Sequence, residues 1–224
     1  MKLRNILLLF LAALLAISCE KDNYDAPQSK LTGRLVYNGQ AIGLRSGGVS
    51  FELWQHGYKL FSKIPLNIAQ DGSFSAVLFD GDYKLVRSVG SGPWLDVTDS
   101  IDVSLKGAST IDVPIQPYYF IKDVAFEKVA TELKATFTVQ AVNTTKTLEY
   151  VRLFLGPNYI LDVNNNSGNK QAGATTINIT QPVTLSLTIP AALANENYLY
   201  ARVAVKTSGI AELLYSPSTK VQLK

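Results

Sequence analysis

Val183, Leu185, Leu187 and Ile189 alternate with Thr184, Ser186 and Thr188, a period of two that sets every apolar side chain on one face of an extended strand. The same alternation, cut by turn residues, recurs from Leu31 onward. No window of a dozen residues there carries a convincing 3.6-residue period. Such a pattern predicts an all-β body whose strands bury one face and wet the other.

Turn chemistry divides the body into strands. Asn38-Gly39 follows Leu31 to Tyr37 and accepts the positive φ angles of a tight hairpin. Asp71-Gly72 and Asp80-Gly81 bracket Ser73 to Phe79 and launch Asp82 to Ser88. Val49, Phe51 and Leu53 face away from Ser50, Glu52 and Trp54, and further strands read as Ile101 to Leu105 and Thr110 to Gln116. Pro114 and Pro117 then interrupt, because proline has no amide to give a ladder. We place a boundary near Pro117, with Tyr118-Tyr119-Phe120 opening a second series. That series runs Ile121 to Val129, Glu132 to Val142, Leu148 to Leu155, Ile160 to Val163, Thr175 to Thr180, Val183 to Ile189, Tyr198 to Thr207 and Ala211 to Leu223. Seven or eight short strands in about a hundred residues point to a β-sandwich. Asn164 to Gly173, rich in Asn and Gly without an apolar run, reads as a loop outside the sheets. Ala191 to Asn195 reads as one helical turn.

The start of the chain is different. Lys2 and Arg4 precede an unbroken apolar run from Ile6 to Ile17, which fits the charged and hydrophobic parts of an export signal and is too short for a permanent membrane span. The run ends in Ala16-Ile17-Ser18-Cys19, which resembles the bacterial lipobox. That resemblance implies cleavage before Cys19, lipidation of its sulfur and lasting anchorage by two or more acyl chains. Residues 1–18 are thus a signal peptide and residues 19–30 a lipidated tether, polar and Pro-punctuated from Glu20 to Ser29. The acidic stretch after the Cys resembles the surface-export signal of Bacteroidetes lipoproteins. The chain has 21 basic and 18 acidic residues. Loss of Lys2 and Arg4 leaves 19 against 18, too little for a nucleic-acid footprint. With one Cys and one His, an internal disulfide and the usual zinc sets are excluded, and no cofactor is called for.

Within residues 31–116, Leu31-Thr-Gly33-Arg-Leu35-Val-Tyr37, Asp71-Gly72-Ser-Phe74 and Gly81-Asp-Tyr83-Lys-Leu85 resemble the transthyretin-like module of carboxypeptidase regulatory domains. Residues 117–224 resemble an immunoglobulin-like or fibronectin type III sandwich through Tyr198-Leu-Tyr200-Ala-Arg-Val203-Ala-Val205. Tyr198 and the two valines fall on opposite parities, so they cannot share a face without a bulge. Asp22-Asn23-Tyr24-Asp25-Ala26-Pro27, Leu78 to Lys84, Gly92-Pro93-Trp94 and Ile115-Gln116-Pro117-Tyr118 together resemble a family of two-domain Bacteroidetes lipoproteins of unknown function. Members are often encoded beside starch-utilisation-type uptake systems.

Motif-defined catalytic patterns are missing from the sequence, while carboxylate pairs for glycoside hydrolysis, whose separation is spatial rather than sequential, stay open as a third reading. His56 lies in Trp54-Gln55-His56-Gly57-Tyr58, which reads as a hairpin tip without a nucleophile elbow nearby. Asp162-Val-Asn164-Asn-Asn166 imitates the opening of a calcium loop, but Ser167 and Gly173 stand where that loop needs Gly and Glu. The aromatics remain. Trp54, Tyr58 across the tip, and Trp94 in a Gly-rich loop are the candidate ligand platforms, because exposed aromatic faces suit sugar C–H groups. The alternative is that Trp54 and Trp94 plug the ends of the sandwich or the domain interface.

The reading is therefore all-β: two β-sandwich domains, transthyretin-like then immunoglobulin-like, after a lipoprotein signal peptide. The expected function is non-enzymatic. The protein is read as a lipid-anchored outer-membrane component at the cell surface that captures glycan or contacts uptake proteins. The rival is a fimbrillin-like or adhesin-like subunit that polymerises by strand addition.

Overall fold

The computed structural model describes residues 25–57 and 61–224. Cys19 and Tyr58 lie outside the described residues.

Strands β1 (Ser29–Tyr37), β2 (Gln40–Ala41), β5 (Ser73–Leu78) and β8 (Ala108–Pro114) form one sheet. β1 is its spine, antiparallel to β5 and parallel to β8. Strands β3 (Ser50–Gln55), β4 (Lys63–Asn67), β6 (Gly81–Arg87) and β7 (Ser100–Leu105) form a second sheet in the order β4-β3-β6-β7. The expected turn between β1 and β2 forms, with Asn38 at φ 49° and Gly39 at φ 76°. Leu31, Leu35, Phe51, Leu53, Leu85 and Val113 are fully buried between the layers. Each such side chain stabilises the fold by about 1.5–3 kcal/mol.

The second series builds a second sandwich. β9 (Tyr119–Val129), β10 (Glu132–Ala141) and β13 (Val183–Thr188) form a three-stranded sheet in the order β13-β10-β9. β11 (Leu148–Gly156), β12 (Gly168–Gly173), β14 (Tyr198–Thr207), β15 (Leu214–Tyr215) and β16 (Thr219–Gln222) form the other, with β14 between β11 and the pair β15 and β16. The two sheets make the second β-sandwich. Helix α1 (Ala191–Ala194) is a single turn.

Four expectations are corrected. Asn164 to Gly173 is not wholly loop: Gly168 to Gly173 pairs in register with β11 from Leu155 back to Tyr150. Backbone hydrogen bonding there replaces the apolar pattern that the sequence lacks. Residues 160–163 and 175–180 are not strands. The first is held by a local turn in which Asp162 and Asn165 exchange backbone bonds, and the second begins with the 3-10 turn Ala174–Thr176. The final segment is two short strands, β15 and β16, broken at Ser216-Pro217-Ser218.

On β14, Leu199, Ala201, Val203 and Val205 enter the core while Tyr198 and Tyr200 face outward. The parity conflict is resolved by sending the tyrosines away from the valines. The outer face of the same strand carries Arg202 and Ala204, which are buried beneath Phe154, Leu161, Leu213 and Tyr215. Elements of the first sandwich dock on this outer face. Tyr215 N donates to Gly43 O at 2.9 Å, Arg45 pairs with Glu212, and Gln70 Nε2 donates to Tyr159 O at 2.8 Å. Arg202 is the centre of the contact. Its guanidinium donates to Ser216 O (2.7 Å), Leu161 O (3.0 Å) and Gln70 O (2.8 Å). Tyr37 and Phe120, 5.3 Å apart, pack across a second point of contact.

Candidate functional site

The β4-β3-β6-β7 sheet has its inner face in the core, so alternation places the opposite residues on an open outer face. One rung of that face runs Lys63, Trp54, Lys84 and Asp102, as register partners on four successive strands. Trp54 is half-buried. Its indole Nε1 donates to Glu52 Oε2 at 3.1 Å, and Lys63 Nζ donates to Glu52 Oε1 at 2.7 Å. The Lys63 contact holds the Glu52 carboxyl below its ordinary range. Lys84 pairs with Asp102. The tryptophan is therefore bordered by cations that carboxylates already neutralise.

Phe61 is half exposed. Its ring lies 4.9 Å from that of Trp54 and 4.8 Å from that of His56, tilted to both. Three aromatic rings thus make one contiguous surface. Two open depressions, of about 910 and 430 Å³, adjoin it and share His56 and Lys84 in their walls. The larger adds Gln55, Asp82, Asp102 and Ser104, and the smaller adds Trp54, Phe61, Thr98 and Ser100. Amide, carboxylate and hydroxyl groups beside an aromatic surface are the set that binds ring faces and hydroxyls together.

Trp94 is corrected as a platform. It is 2% exposed, and its ring meets Phe51 edge-on at 6.1 Å in the end of the first sandwich. The neighbouring glycine explains the burial. A Cβ on Gly92 would lie 2.1 Å from the Trp94 indole, so the missing side chain lets the ring fold down over the backbone instead of displaying it. Trp94 also bridges to Pro117, where the second series begins.

The calcium-like loop has a local explanation. Asp162 Oδ1 accepts from the amides of Asn164 (2.8 Å) and Asn165 (3.0 Å), closing its own turn. Among the described residues no group of three or more His, Cys, Asp and Glu could hold a metal ion.

Sequence reasoning missed a second aromatic group. Tyr159, in the loop after β11, lies edge-on to Tyr200 at 5.9 Å, and Tyr200 lies edge-on to Tyr198 at 5.9 Å. Tyr159 and Tyr198 are 48% and 39% exposed. The Tyr198–Tyr200 spacing on one strand face was a usable signal, whereas nothing local links Tyr159 to them.

A two-domain β-sandwich protein with an aromatic, polar-rimmed outer sheet face is the class that these features define. The chain belongs to the DUF3823 family. Residues 29–116 match the N-terminal domain of that family, described as a protein of unknown function, and residues 119–220 match its C-terminal domain of unknown function. A DUF3823 family protein from Bacteroides ovatus is 41% identical, with a TM-score of 0.83 over 88% of this chain and all of its own. One from Parabacteroides merdae is 33% identical, with a TM-score of 0.81 over the same shares. A candidate carbohydrate binding protein from Bacteroides uniformis shares the fold at 18% identity and a TM-score of 0.70, again over 88% of this chain and 100% of its own. No curated protein matches.

Proposed function

We propose that this protein is a non-enzymatic glycan-capture lipoprotein of the outer membrane, held at the cell surface by lipid on Cys19 and serving an uptake system of the starch-utilisation type. The observation that carries the glycan reading is the Trp54, Phe61 and His56 surface beside neutralised Lys63–Glu52 and Lys84–Asp102 pairs. A neutral, polyhydroxylated ligand suits that balance, since its C–H face packs on the rings and its hydroxyls reach Gln55, Asp82, Ser100 and Ser104. The carbohydrate-binding description of the Bacteroides uniformis neighbour agrees with this reading. The anchor rests on the apolar run ending at Cys19 and on the family resemblance, and tethering would raise the local concentration of the site near membrane partners.

Calorimetric titration of the full chain in detergent tests the reading, using neutral hexasaccharides of the α-1,4-glucan, β-1,4-glucan, β-1,4-xylan and β-1,4-mannan types. At least one is expected to bind, with affinity falling about tenfold or more in Trp54→Ala, the equivalent of about 1.4 kcal/mol. Failure of all four to bind would overturn it.

A further inference from the structure

At the junction of the two sandwiches, the Tyr159–Tyr200–Tyr198 ladder borders a small pocket lined by Gly43, Gln70, Asp71, Arg202 and Ser218, with Tyr159 belonging to both. We infer that this junction is a second glycan contact, which takes one neutral sugar ring on Tyr159 and Tyr200 and an exocyclic hydroxyl or hydroxymethyl group in the pocket. The inference rests on the glycan-capture reading and adds a site on a different face.

Two independent features support it. The first is aromatic: the outer rings of the ladder are exposed and Ile160 beside them is 49% exposed, an apolar surface that nothing among the described residues covers. Lys220 Nζ sits 3.7 Å from the Tyr198 ring centroid, so one end of the ladder is already occupied by a cation and the Tyr159–Tyr200 end is the open one. The second is polar. The Ser218 hydroxyl is buried and has no hydrogen-bond partner among the described residues, an arrangement that costs stability unless a ligand or solvent satisfies it. Arg202, also in the wall, has five donors, and the acceptors around it are Ser216 O, Leu161 O, Gln70 O and Gln70 Oε1.

Size and charge narrow the ligand. The pocket holds about 110 Å³, room for roughly three or four water-sized groups at about 30 Å³ each. That is too little for a whole pyranose and enough for a substituent of one. Asp71 stands in the same wall, and Asp162 and Asp71 both act on Arg202 through space. With the cation offset in this way, a neutral sugar fits better than a uronate.

The test uses the same four neutral hexasaccharides and an oligogalacturonate on the full chain, with Tyr159→Ala, Tyr200→Ala, Tyr159→Phe and Trp54→Ala compared by titration and thermal melting. The inference expects Tyr159→Ala and Tyr200→Ala each to weaken the bound neutral glycan by about tenfold. Tyr159→Phe, which keeps the ring, should bind as the parent does and confirm that loss is not misfolding. If a glycan binds and Trp54→Ala weakens it while both tyrosine variants bind unchanged, the second contact is overturned and the first reading stands. If oligogalacturonate alone binds at the ladder, or if no glycan binds at all, the inference fails.

Discussion

The Arg202 guanidinium lies over the ring of Tyr215, its Cζ 4.4 Å from the ring centroid, and this stacked pair is the pivot on which the first sandwich meets the second. Arg202 is 1% exposed, and burial pulls its pKa down to about 10. Carbonyl groups from Gln70, Leu161 and Ser216, rather than a contacting carboxylate, receive its donors.

Removing that side chain strands three carbonyls and opens the junction. Arg202→Ala is expected to lower unfolding free energy by on the order of 3–5 kcal/mol, the scale for breaking a buried polar network from one side. Chemical denaturation of parent and variant checks this, and a loss below about 1 kcal/mol would contradict it. Arg202→Lys should recover little, because an ammonium cannot reproduce the planar fork.

The partner ring carries a pH signature. Burial pushes the Tyr215 phenol up to about 12, against about 10 when unfolded. Between these values the folded chain holds a proton that the unfolded chain has lost, so this group stabilises the fold below pH 10 and that contribution is lost as pH rises toward 12. Arg202 acts oppositely from pH 10 upward, since its unfolded value lies higher. Absorbance titration of phenolate separates the two. Tyr215→Phe should remove a late-ionising tyrosine, and an unchanged profile near pH 12 would contradict its burial.

Gly92→Ala should destabilise by about 1–3 kcal/mol through overpacking against the Trp94 indole. Trp94 emission should shift to the red as the ring is displaced. Unchanged stability and emission would mean that the ring does not depend on the bare backbone at Gly92.

Strand addition is disfavoured at several sheet edges. β4 and β8 are edge strands that carry Pro65 and Pro114, and β9 bulges opposite Thr136 to Thr138 with Asp123 at φ 56°. Such features blunt an edge. The full chain in detergent is expected to remain monomeric by light scattering. Filaments or a laddered native gel would favour the fimbrillin-like reading instead.

The alternation that defines the fold was legible because each strand writes its burial locally: Val183 and Leu185 point inward and Thr184 outward. Turn chemistry was equally local. Asn143 and Asn178 use their Oδ1 atoms to hold Thr145 and Thr180 two residues on. Trp54 was placed on the correct strand face by the same parity. Trp94 stayed between platform and plug in the sequence because a glycine can expose a neighbour or make room to bury it, and only the packing around Phe51 decides for the plug. The Arg202 node draws on Gln70, 132 positions away, and Tyr159 reaches Tyr200 only because its loop folds over the sheet. Contacts of that range leave no periodic trace.

The two tryptophans occupy opposite environments, and this allows the most direct test of glycan capture. Emission of the parent and of the Trp94→Phe variant should change on addition of the neutral hexasaccharide that titrates best, while Trp54→Phe should show no change. A response that survives in Trp54→Phe, or silence of the parent toward every glycan, would contradict the assignment of the site to the Trp54 face.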